Sequence, residues 1–287
     1  MTHYSRAAAR LSLKLLLAVT LVAVWHVLPA RAAAGQVEAL SRALRLEEMI
    51  EVISAEARDL GDQDVEADYG VPRARVQAMM DRLYAPDPMT AAFERALAQA
   101  FGEADLSEMI AFYTSDLGAQ IAELELATRR LFSDEAAQDA AGQAWAALRA
   151  GDPRTELIEA YVAAGDLVEM NVVGTLNSDV AFYRGMGRVA ADPDMLMSEE
   201  EIMAAIWSTE PEVRADVAEW VYGFSTMAYA PLSDGDLATY VAFLESPAGQ
   251  KLNYALFAAF DSVFEEISLG MGLSLGMLMA ESAGEEL

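Results

Sequence analysis

The residue types that most often carry chemistry are scarce here, and their spacing rules out most of what they could do. Cys is absent, so there is no disulfide scaffold, no thiol nucleophile and no Cys-ligated zinc. The two histidines, His3 and His26, both fall in the first 26 residues. Asp62-Gln63-Asp64-Val65-Glu66-Ala67-Asp68 alternates carboxylates like the start of a calcium loop. An EF-hand counted from Asp62 needs Gly and Glu where Ala67 and Arg73 stand, so the stretch reads as a solvated acidic loop. Met195-Leu196-Met197 and Met277-Leu278-Met279 offer thioethers to a soft metal, but Met between helices ordinarily fills irregular core space. No metal or cofactor is expected. Ser115 and Ser246 have no histidine to act as a base once the first residues are removed, and Pro247 behind Ser246 marks a helix cap rather than a nucleophile. Forty-six acidic residues make some carboxylate pair inevitable in any fold, so acid–base hydrolysis is chemically open without any residue pointing to it.

The first residues read as an address. Residues 1–14 carry Arg6, Arg10 and Lys14 and no acid. An apolar run from Leu15 to Leu28 follows, and Ala30-Arg31-Ala32 supplies a small-x-small cleavage pattern. Residues 1–34 are therefore expected to be a cleaved signal peptide, with the cut before Ala33 or before Gly35. The apolar run of 14 residues is short for a bilayer span of about 20. The mature protein is expected to be periplasmic or secreted, with no stable membrane span. Against 46 acidic residues it keeps 15 basic ones, a formal charge of −31. That charge excludes a nucleic-acid footprint and discourages contact with anionic membranes.

The rest of the chain must be helical. Ala, Leu, Glu, Met and Arg dominate, and apolar residues recur at three and four: Leu237, Tyr240, Val241, Leu244, then Leu252, Leu256, Phe260, Val263 and Ile267. Asn171-Val172-Val173-Gly174 alone tempts a strand assignment, and its flanks argue helix. All-α is the expected class.

The chain also repeats itself. At an offset of 131, FGEADLSEMIAFYTSDLGAQI lies over LSDGDLATYVAFLESPAGQKL with six identities in 21 positions. They include Phe112/Phe243, Ser115/Ser246 and Gly118/Gly249. A weaker echo sets Leu46-Glu47-Glu48-Met49 against Leu167-Val168-Glu169-Met170. Two related helical units follow, 35–150 and 151–287. In each motif the Ser is expected to cap a helix, with Pro247 at its first position in the second copy. The Gly should permit a close approach, and the Phe should plug the corner. Ser233 with Asp236 and Ser198 before Glu199-Glu200-Glu201 read as further helix starts.

The motif, Phe112-Tyr113-Thr114-Ser115-Asp116-Leu117-Gly118-Ala119-Gln120 and again Phe243-Leu244-Glu245-Ser246-Pro247-Ala248-Gly249-Gln250-Lys251, resembles the bacterial exported proteins catalogued as domain of unknown function 2059. The first copy departs from the pattern by lacking the Pro and carrying Gln120 where a Lys is usual. The resemblance implies an exported, all-helical domain in two copies, and it brings no reaction or catalytic residue.

At the C-terminal end, Ile267 to Ala280 is uncharged, and Gly272 and Gly276 have a spacing suited to close helix packing. Leu273, Met277 and Met279 are the candidate interaction surface, for an envelope partner or for self-association. These features point to a non-enzymatic binding or scaffolding protein of the cell envelope. A carboxylate-dependent hydrolase of an envelope polymer is the second reading.

Overall fold

A computed structural model describes residues 31–60, 70–189 and 197–285. The signal peptide expected over 1–34 lies outside them except for its last four residues. The acidic stretch 62–68, Met195 and Leu196 also lie outside. Among the described residues there are thirteen α-helices and no strand.

In order these are α1 (Arg31–Ala43), α2 (Leu46–Leu60), α3 (Arg73–Leu83), α4 (Pro86–Phe101), α5 (Ser107–Tyr113), α6 (Asp116–Leu131) and α7 (Glu135–Ala147). Then come α8 (Pro153–Ala164), α9 (Leu167–Gly187), α10 (Glu199–Trp207), α11 (Glu210–Tyr229), α12 (Asp234–Glu245) and α13 (Pro247–Glu285).

Their ends follow from local chemistry. Ser198 and Glu201 form a reciprocal capping box at the start of α10. Ser233 accepts from the Asp236 amide and donates to its carboxylate at the start of α12. Asp152 caps α8 through the Arg154 amide at 2.9 Å, with Pro153 at the first helical position. Asn171-Val172-Val173-Gly174 lies inside α9, as its flanks require.

The packing of the first six helices recurs among the last six. α1 packs on α2, α4 and α5, and α8 packs on α9, α11 and α12. α2 packs on α3, α4 and α6, and α9 packs on α10, α11 and α13. α5 meets α6 as α12 meets α13. The two sets also cross, α13 onto α4 and α6 onto α11, while α7 rests on α11. The corners before α2 and α9 turn on Arg45 (φ 55°) and Asp166 (φ 49°), both left-handed without being glycine.

One hydrophobic core runs through both sets, from Val37, Ile50 and Phe93 to Tyr229, Phe260 and Leu275. A second cluster, around Val172, Val217 and Ile206, lies among α8 to α11. Most of the core is shared, so each set buries much of its apolar face against the other.

Candidate functional site

The repeated motif builds two closely similar corners. The Ser115 hydroxyl accepts the Gly118 amide at 3.1 Å and donates to the Phe112 carbonyl at 2.6 Å. Ser246 does the same with Gly249 and Phe243, again at 3.1 and 2.6 Å. Each hydroxyl thus ties the end of one helix to the start of the next. A Cβ on Gly118 or Gly249 would lie 2.1 Å from the Phe112 or Phe243 carbonyl oxygen, so both positions need a residue without one. The phenyl rings differ from expectation. Phe112 and Phe243, each expected to plug its own corner, stack on each other. Pro247 occupies the first position of α13 and is exposed.

Beside that stack lies a cavity of about 130 Å³, lined from both sets of helices. Its polar centre is Glu125 of α6. Tyr229 and Tyr240 both donate to Glu125 Oε1, at 2.7 and 2.9 Å. The Tyr113 hydroxyl lies 3.2 Å from that of Tyr240. Tyr161 packs edge-on to Tyr229. Burial pushes the Glu125 carboxyl above the ordinary carboxylate range, and the two tyrosine hydroxyls partly offset this. One turn further along α6, Arg129 is 3% exposed and pairs with Glu56 of α2. Its guanidinium lies over the Trp220 ring, 5.8 Å from the centroid. Burial lowers the Arg129 pKa, and Glu56 opposes that shift.

The two sets line the cavity with residues that correspond at the offsets of the repeat: Leu46 with Leu167, Tyr113 with Leu244, Glu125 with Leu256, and Arg129 with Phe260. The polar member of each unequal pair lies in the first set. Tyr113 and Tyr240 fall in the motif and the apolar stripe, whereas Glu125, Arg129, Tyr161 and Tyr229 are not singled out by their spacing. The available signal was the extension of the repeat past residue 121, where Glu125 and Arg129 fall opposite the clean apolar stripe Leu252, Leu256, Phe260.

The C-terminal candidates are distributed differently. α13 begins at Pro247 and carries the apolar stripe past Ile267 through Met271 and Leu275, both buried. Met277 is 47% exposed, whereas Leu273 and Met279 are half-buried, Met279 against the core. The glycine face is occupied within the chain: a Cβ on Gly272 would lie 2.0 Å from the Phe182 carbonyl oxygen of α9. By length and composition α13 could cross a membrane, but 44% of its apolar window is buried in the protein.

Fold and site together define an all-helical protein with a small polar-centred cavity at the junction of two helix sets. Residues 87–147, from α4 through α7, match the family described as uncharacterized protein conserved in bacteria (DUF2059). The match contains the first motif copy, the one that departs from the usual pattern, and stops short of the second. Neither a curated protein nor a solved structure matches the chain.

Proposed function

We propose that this is an exported binding protein of the bacterial cell envelope, built by duplication of a six-helix unit, with its ligand site in the cavity between the units. The observation that carries the binding role is Glu125. It is a carboxyl oriented by two tyrosine hydroxyls inside a cavity otherwise walled mainly by apolar and aromatic side chains, the usual composition of a small-molecule site.

Duplication is supported by the recurrence of helix order and packing, by the paired corners at Ser115 and Ser246, and by Arg45 and Asp166 at matching joints. Export is supported by the three-part leader. It is also supported by Val37, the first described core residue, which lies just beyond both candidate cleavage sites. Two-carboxylate hydrolysis is less well supported, because Glu125 is the only carboxyl among the described lining residues. A scaffolding role would rest on the exposed Met277 and its surroundings.

The test is a small-metabolite thermal-shift screen of the wild type beside Leu256→Trp, which fills the cavity from a half-buried position. At least one compound should stabilise the wild type and leave the variant unmoved. A screen in which every response is shared by the variant would refute the site. Export is read separately, from a mature amino terminus near Ala33 or Gly35 in the periplasmic fraction.

A further inference from the structure

We propose that the cavity takes a small organic ammonium, with the Glu125 carboxylate as its counter-charge and the surrounding aromatic rings as its cage. The proposal rests on reading the cavity as a ligand site and adds the chemical class of the ligand.

Charge comes first. Both tyrosine hydroxyls that reach Glu125 donate to Oε1, and among the described residues Oε2 receives no hydrogen bond. No Lys or Arg bonds this carboxyl among the described residues. The cation nearest in sequence, Arg129, is committed to Glu56 and lies over Trp220. Glu125 is the one carboxyl among the described lining residues, and when ionised it has no cation bonded to it. An anionic ligand would meet that charge directly. A purely apolar ligand would leave the carboxylate uncompensated or force it to take up a proton. A ligand cation supplies what is missing.

The walls agree with this. Tyr113, Tyr161, Phe224, Tyr240 and Phe260 line the cavity beside Trp220, whose ring already carries Arg129, and aromatic rings attract cations most strongly when desolvated. The tyrosine hydroxyls point their protons at Glu125, which partly offsets the burial that raises its pKa and fixes its direction, and a bound cation would shift it further toward the ionised form. The size is also suitable: about 130 Å³ is close to the roughly 150 Å³ of a cavity that holds benzene. That admits a compact ammonium head. Finally, the pole is one-sided, because Leu256 and Phe260 stand where the second unit would otherwise repeat Glu125 and Arg129.

Calorimetric titration with choline and with its neutral carbon isostere, 3,3-dimethylbutan-1-ol, tests the charge without any mutation. Choline should bind the wild type at least about tenfold more tightly than the isostere, as a desolvated cation–π site with a counter-charge requires. Glu125→Gln, which keeps an acceptor for both tyrosines, should lose about that factor. Tyr240→Phe, which keeps the carboxyl but removes one of its two donors, should weaken choline binding less than Glu125→Gln does. Equal binding of choline and the isostere overturns the proposal, as does undiminished binding by Glu125→Gln. If choline fails while another class of compound binds in a manner blocked by Leu256→Trp, the ammonium assignment falls and the ligand site stands. If nothing binds in that manner, both fall.

Discussion

Phe112 and Phe243 stack face to face across the junction of the two helix sets, with ring centroids 3.8 Å apart and planes 5° from parallel. They are the same residue of the repeated motif, so the two copies meet at equivalent positions. Tyr113 and Tyr240 continue the contact toward Glu125. The stack therefore lies where the two sets are joined and borders the wall of the cavity. A double-mutant cycle on Phe112→Leu and Phe243→Leu should give a coupling of about 0.5–1.5 kcal/mol, the range for stacked aromatic pairs. Additive effects in chemical denaturation would mean that the rings share no interaction.

The motif glycines should be equally intolerant of substitution. Gly249→Leu, and even Gly118→Ala, forces a Cβ against a helix-ending carbonyl that cannot swing away. Each should cost about 1–3 kcal/mol or more by overpacking. Denaturation midpoints within error of the wild type would contradict the close approach.

The ion pair between Arg129 and Glu56 is almost wholly buried, with side-chain exposures of 3% and 11%. Arg129→Met should cost about 3–5 kcal/mol, since Glu56 loses the buried guanidinium it pairs with, and adding Glu56→Leu should restore part of that loss. A double variant as unstable as the sum of the single variants would show that the pair acts through something other than charge.

Much of the architecture was legible in the sequence because it depends on local rules. Ser115, Ser246, Ser198 and Ser233 announce helix starts by residue type alone, and all four cap as expected. The stripe from Leu252 through Ile267 defines the buried face of α13. The cavity was not legible, because it is a tertiary event. Glu125 sits among helix formers where an exposed Glu would be unremarkable. Only the meeting of α6 with α11 and α12 brings Tyr229 and Tyr240 onto it. The direction of the Phe112 and Phe243 rings was hidden for the same reason: each copy read alone offers only its own corner to fill.

The acidic side chains of α13 set a pH dependence. Burial, together with Glu265 one turn away, pushes Asp261 up from an ordinary value of 3.8 to about 7. The folded protein thus holds a proton that the unfolded chain has released, and stability falls as pH rises from about 4 to about 7. Glu265 is also raised by burial and acts in the same direction. Asp261→Asn should match the wild type in melting temperature near pH 3.5 and exceed it at pH 8. Equal melting temperatures at pH 8 would show that Asp261 titrates normally.

The most direct measurement of the binding function is native mass spectrometry of the protein recovered from a bacterial periplasm without denaturation, wild type beside Leu256→Trp. A fraction of the wild type should carry a small non-covalent mass that is lost on gentle activation and absent from a folded Leu256→Trp. A bare wild type that also shows no Leu256→Trp-sensitive stabilisation in the metabolite screen would contradict the cavity as the site of function.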